Sequence, residues 1–157
     1  DVPRVVGWWL LGSAASVFGM VVLGGYTRLT RSGLSMTDWR PQGSALPATE
    51  AAWEAEFERY KQFPEYQRLN RGMPLQEFKE IFFVEWAHRM AGRTVGLIYG
   101  LPLLGFAAAR MIPMSMAPRL ALMFCLGGSQ GLVGWWMVRS GLEEPPPDLD
   151  GVPRVSP

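Results

Sequence analysis

The stretch VVGWWLLGSAASVFGMVVLGGYT, residues 5–27, runs for 23 residues without a charged side chain. Two further stretches behave alike: residues 94–109, 16 residues long, and residues 120–138, 19 residues long. Charge-free apolar runs of roughly 18 residues or more are long enough to cross a hydrocarbon layer. At about 1.5 Å per residue, a helix over residues 5–26 reaches about 33 Å, against about 30 Å of hydrocarbon. The run is too long for a signal-peptide core and lacks a clear cleavage site. Trp8 and Trp9 near one end and Tyr26 near the other fall where amphipathic rings settle at a bilayer surface. The spacing predicts an all-α, polytopic membrane helical bundle with spans at about 5–26, 84–109 and 118–138.

Composition closes off other classes. The 157 residues are 48% hydrophobic and 18% charged with net charge +1, which excludes a disordered chain and gives no reason to expect nucleic acid. Cys125 is the single cysteine, so neither a disulfide framework nor a cysteine metal cluster can form from this chain. The phosphate-binding, zinc-protease and nucleophile-elbow motifs are all missing. Met111, Met114 and Met116 read as part of a connection, not as a copper site.

Between the first two spans, residues 27–80 read as an extramembrane loop. Its first part, to Pro47, is rich in Ser, Thr, Gly and Pro and predicts ordered loop. Thr49 then suits a helix N-cap, with Glu50 in the first turn. Trp53, Phe57 and Tyr60 recur at i, i+4 and i+7, a short amphipathic helix that packs on the rest of the protein and that Pro64 ends. Pro74 suits the first turn of the next helix, which runs to about Arg110. That helix is longer than a bilayer, so its first turns, with Glu77, Lys79 and Glu80, are expected to project into water. Pro113 and Pro118 mark a tight turn before the third span. Residues 139–157 read as a tail with Pro145, Pro146 and Pro147. Three spans put the N-terminus and the short turn on one side, placed inside, and the loop and tail on the other; basic-residue counts do not decide the orientation.

The chemistry concentrates in EWAHRMAGR, residues 85–93. At 100° per residue, Glu85, His88, Arg89 and Gly92 share one helix face, continued by Gly96. Ionisable groups at a membrane boundary are expensive unless they face a protein interior or cavity. His88, the only histidine, can ligate haem iron or simply bond a neighbouring helix. Glu85 and Arg89 can form an i,i+4 ion pair, or the arginine can meet a haem propionate. Gly92, Gly96 and Gly100 leave a groove for a flat porphyrin or for another helix. Arg93 can snorkel to the interface. In the third span Gln130 can bond across helices, beside the small residues Gly127, Gly128, Gly131 and Gly134.

Five stretches carry a resemblance: LGGYTRLTRSGLSMTDW (23–39), WEAEFERYKQFP (53–64), EWAHRMAGR (85–93), QGLVGWWMVRSGLEE (130–144) and VPRVS (152–156). Together they resemble haem A synthase of the eukaryotic and alphaproteobacterial type, over nearly the whole chain. The resemblance implies eight membrane helices in two similar four-helix halves, each holding a haem. This chain is similar to the amino-terminal half without its fourth span, so it offers one histidine where a paired site needs two. The piece alone is expected to be inactive. By resemblance His88 is a haem ligand, binding the iron, and Glu85 is the glutamate needed for activity. Arg89 and Arg93 are candidates for propionate contacts or for holding Glu85. The loop, with Arg28, Arg31 and Trp39, is expected to roof the porphyrin and exclude water.

The implied function is oxidation of a methyl of haem O to a formyl group, giving haem A for cytochrome oxidase. The implied cofactors are haem b and haem O or haem A. The implied partners are a ferredoxin-type electron donor, an upstream haem O synthase and the lipid bilayer; a homo-oligomer is compatible. The implied location is the mitochondrial inner membrane, with the bacterial plasma membrane as alternative. A non-catalytic b-type cytochrome anchor for electron transfer is the runner-up, and a cofactor-free helical assembly factor is a third reading.

Overall fold

The computed structural model describes residues 2–143, and these contain five helices and no strand. They are α1 (Arg4–Leu29), α2 (Glu50–Tyr60), α3 (Pro64–Leu69), α4 (Leu75–Ala108) and α5 (Ala117–Leu142). Helices α1, α4 and α5 are each long and apolar enough to cross a membrane. The chain is thus an all-helical membrane bundle, with α4 in the middle, packed by α1 on one side and α5 on the other. The third span continues past its expected end at Val138 to Leu142. Nothing in Arg139-Ser140-Gly141-Leu142 forbids it, and Arg139 in the last turn suits the negative helix end while lying 5.6 Å from the Trp135 ring centroid. The expected tail is therefore helical in its first residues; its proline run and the stretch 152–156 lie outside the described residues.

Helix α1 buries Val6, Ser13 and Thr27, positions separated by multiples of seven, which keeps them on one narrow stripe. That stripe meets α4 in antiparallel fashion. Trp9 lies 5.1 Å from Tyr99 and 5.4 Å from Phe106, centroid to centroid. Its indole Nε1 donates to the Ile98 carbonyl at 2.9 Å. Pro102 sits inside α4 and has no N–H for the carbonyl four residues back, which is that of Ile98. Lipid offers no replacement donor, so the indole supplies it from the neighbouring helix. Beyond the interface position expected from the sequence, Trp9 is a cross-helix donor. On the other flank Tyr99 Oη donates to Leu120 O at 3.0 Å, and Gly100 lies so close to Phe124 that a Cβ would stand 2.8 Å from the ring.

Both α1 and α4 end without glycine. Arg31 (φ 52°) and Arg110 (φ 54°) take the left-handed position after their helices. The next amides reach back across the last turn, Ser32 N to Thr27 O at 3.0 Å and Met111 N to Phe106 O at 2.9 Å, closing the carbonyls that a helix end leaves open.

Outside the spans, α2, α3 and the first turns of α4 close around an aromatic core of Met36, Phe57, Tyr60, Phe78 and Phe82. Thr49 caps α2 as expected, its Oγ1 accepting from Ala52 N at 3.2 Å. The face of Trp53, Phe57 and Tyr60 is the one that packs: Phe57 stacks on Phe78 at 4.9 Å, Tyr60 at 5.2 Å, and Trp53 meets Phe82 edge-on at 5.2 Å. Two expectations need correction. The first turns of α4 expose Glu77 and Glu80 as expected, but their other face is not free, since Phe78 and Phe82 are buried under α2. The loop also holds a second helix: α2 already ends at Tyr60, and Pro64 opens α3, where its missing N–H costs nothing. Tyr66 of α3 closes the core from below, edge-on to Phe57 at 5.8 Å. Asn70 then donates to the Tyr60 hydroxyl at 2.6 Å, and burial of that phenol pushes its pKa up to about 12.

Candidate functional site

The segment from Glu85 to Arg93 lies where α4 passes from the aromatic cap into the bilayer span. Glu85 is only 2% exposed. Its Oε2 accepts from the Ser35 hydroxyl at 2.7 Å and from the Met36 amide at 2.6 Å, and its Oε1 pairs with Arg89 Nη2. A carboxylate taken out of water needs such partners, and here both oxygens have them. The i,i+4 spacing read from the sequence is thus an ion pair, with the Arg89 side chain 10% exposed.

The arginines also hold the loop. Arg89 donates from Nη1 to Asp38 O and from Nη2 to Met36 O, both at 2.8 Å. Arg93 donates to Pro41 O at 2.9 Å, to Arg40 O at 2.5 Å and to Arg89 O at 2.6 Å. Trp86 Nε1 adds a bond to Ser44 O at 2.7 Å. Successive carbonyls of a chain without regular structure are therefore satisfied by one face of α4. Gly43 belongs to the same arrangement: its φ is +86°, and a Cβ there would stand 2.8 Å from Met90 Sδ. Sequence reasoning singled out neither Ser35 nor the Met36 amide. The signal available was the polar run Thr30–Ser35 following an apolar span, too general to name a partner.

His88 points elsewhere. Its imidazole is half-buried on the α1 side of α4, and Nε2 faces Gly24 of α1. No hydrogen bond engages the ring among the described residues. A turn further on, a Cβ on Gly92 would meet Met20 of α1 at 3.6 Å, and one on Gly96 would meet nothing within 4 Å. The glycine row is therefore helix-packing surface at Gly92 and Gly100 and open at Gly96. Gln130 is exposed and makes no cross-helix bond among the described residues, and Gly127, Gly128, Gly131 and Gly134 have open space before them.

The structure thus brings Glu85, Arg89 and Arg93 together under the loop and sets His88 apart toward α1. Trp39 does not lie with them. It lines a cleft of about 320 Å³ with Thr37, Phe63, Trp135 and Arg139, between the loop and the end of α5. Arg28 and Arg31 are exposed. No group of three or more His, Cys, Asp or Glu able to hold a bare metal ion occurs among the described residues. A single imidazole can instead serve as an axial ligand to a metal already held in a macrocycle.

Comparison with known proteins gives a consistent result. The family model COX15-CtaA, described as cytochrome oxidase assembly protein, matches residues 7–157. Heme A synthase COX15 of Arabidopsis thaliana is 56% identical over 152 residues, which is 97% of this chain and 33% of the relative. Heme A synthase of Parvibaculum lavamentivorans is 52% identical over 142 residues, 90% of this chain and 41% of the relative. That of Caulobacter vibrioides is 55% identical over 145 residues, 92% of this chain and 42% of the relative. The chain spans between 33% and 42% of the length of these curated relatives. No solved structure matches it.

Proposed function

The chain belongs to the COX15-CtaA family of cytochrome oxidase assembly proteins, and from that premise we propose that it forms the His88 haem-binding part of a haem A synthase. The observation that carries the proposal is His88 itself: a half-buried imidazole whose Nε2 is bonded to no described residue and stands beside Gly24 of α1. That suits a nitrogen reserved for iron. This chain would supply one ligand to the iron; in our reading another comes from a part of the protein beyond these 157 residues.

A bound haem would supply the oxidising chemistry, or be the substrate whose methyl is oxidised to a formyl group. The residues of this chain bind and position. His88 holds the iron. Arg89 and Arg93 fix the loop and Glu85 rather than reaching out to a propionate, because their donors already bond loop carbonyls and Glu85. Glu85, one turn from His88, is our candidate for stabilising charge or steering a proton at the reacting methyl. The loop keeps water off this face. We assign haem b and haem O or haem A as ligands, a ferredoxin-type protein as electron donor and a haem O synthase as supplier. We assign it to the mitochondrial inner membrane, with a bacterial plasma membrane as the alternative.

One observation favours the runner-up, an electron-transferring b-type cytochrome anchor: both oxygens of Glu85 are already bonded within the protein. Full-length protein decides between them. His88→Ala should lose the haem absorbance that depends on this site. Glu85→Gln, which keeps the shape and an acceptor, should retain haem and make no haem A. Undiminished haem A from Glu85→Gln removes the catalytic assignment and leaves the glutamate as a loop anchor.

A further inference from the structure

We propose that Gly24 is a positioning residue for His88: because position 24 of α1 carries no side chain, the imidazole Nε2 can stand where it does. The proposal rests on reading His88 as an axial ligand, and extends it to a residue on another helix.

A Cβ built on Gly24 would lie 3.2 Å from His88 Nε2 and 3.8 Å from Cδ2, and no other described residue outside its own helix comes within 4 Å of it. The position this glycine leaves without a side chain therefore borders the Nε2–Cδ2 edge of the ring. Carbon atoms rest comfortably at about 3.5–4.0 Å from their neighbours. A methyl group at position 24 would crowd the imidazole even with nothing bound. A metal–imidazole bond extends only about 2 Å from the nitrogen, so anything held there shares that neighbourhood. His88 stands on a long helix, where side-chain rotamers are restricted. The ring cannot yield without moving Nε2.

Gly25 provides the contrast. It is the next residue of the same helix, and a Cβ there would meet nothing within 4 Å. Any effect of glycine replacement on helix stiffness is common to both positions; contact with the imidazole belongs to Gly24 alone.

The test uses the full-length protein in detergent, with haem content, low-spin electron paramagnetic resonance and midpoint potential as readouts. Gly24→Ala should keep its haem and shift both the resonance and the potential. Gly24→Val should weaken haem retention at this site by about 10–100-fold, the loss typical when a group orienting a ligating histidine is disturbed. Gly25→Ala and Gly25→Val should match the parent. The proposal is overturned if Gly24→Ala and Gly24→Val keep the parent's resonance and potential while His88→Ala changes them; the ligand reading then survives alone. It is equally overturned if the Gly25 variants reproduce the Gly24 effects. A His88→Ala protein with unaltered spectra brings down the ligand reading itself. Should Gly24→Val not accumulate, Gly24→Ala against Gly25→Ala carries the same decision.

Discussion

The cap formed by α2, α3 and the first turns of α4 and the spans formed by α1, α5 and the rest of α4 are built on opposite plans. The cap turns its large apolar groups inward: Phe78 is fully buried, Tyr60 is 1% exposed, and the phenol has a donor in Asn70. The spans turn theirs outward, with Phe18, Leu104 and Leu132 among the exposed side chains. Water drives the first arrangement, because apolar area withdrawn from it is the main favourable term. Lipid removes that drive, leaving close packing and a few polar bonds to hold helices together. Trp9 to Ile98 and Tyr99 to Leu120 are such bonds. Imperfections fall in the same place: Ser13 Oγ on the α1 seam is buried without a partner. Two solvents have selected two kinds of interior within one chain, and the site sits where they meet.

The contrast can be broken from the cap side first. Phe78→Ala removes the ring on which Phe57 and Tyr60 stack, and should cost about 3–5 kcal/mol of cap stability, read as early loss of near-ultraviolet circular dichroism on heating. A drop of equal size in the unfolding of the spans would show that the two regions are one cooperative unit. Next, Ser35→Ala removes one of the donors to Glu85 and should cost about 1.5–3 kcal/mol, seen as faster proteolysis within residues 36–44. Unchanged cleavage would mean the Met36 amide and Arg89 suffice. In the spans the effects should be smaller. Trp9→Phe should cost about 1 kcal/mol in detergent unfolding, and much less in a Pro102→Ala background, where α4 regains its own donor for Ile98. Equal costs in both backgrounds would sever the link drawn between the indole and the proline.

The smallest effect is a titration. The Tyr60 phenol is pushed up to about 12 from an ordinary value of 10.0, chiefly by burial. The folded state thus favours the neutral phenol. The contribution is complete below pH about 10 and is lost as pH rises toward about 12. Phenolate absorbance should show this tyrosine ionising after the exposed ones, and Tyr60→Phe should remove that late step.

The spans were legible because a charge-free run has one physical meaning at that length, and α2 because Trp53, Phe57 and Tyr60 repeat at helical spacing. Thr49 announced its cap. What was hidden has a common cause: the partner is distant or has no side-chain signature. Trp9 looks like any interfacial tryptophan until Pro102, 93 residues away, is seen to leave a carbonyl open. Arg89 was a candidate for holding Glu85 and does so, but most bonds of Arg89 and Arg93 go to backbone carbonyls of residues 36–41, which every sequence possesses. Pro64 was read as a stop and is also a start. The pairing of His88 with Gly24 could not be read at all, since a glycine announces only absence.

The stapled loop has one more consequence. From Met36 to Ser44 it is tied to a single helix face by Glu85, Trp86, Arg89 and Arg93. Lifting it would strand several buried polar groups at once, so it is a fixed ceiling and no trapdoor.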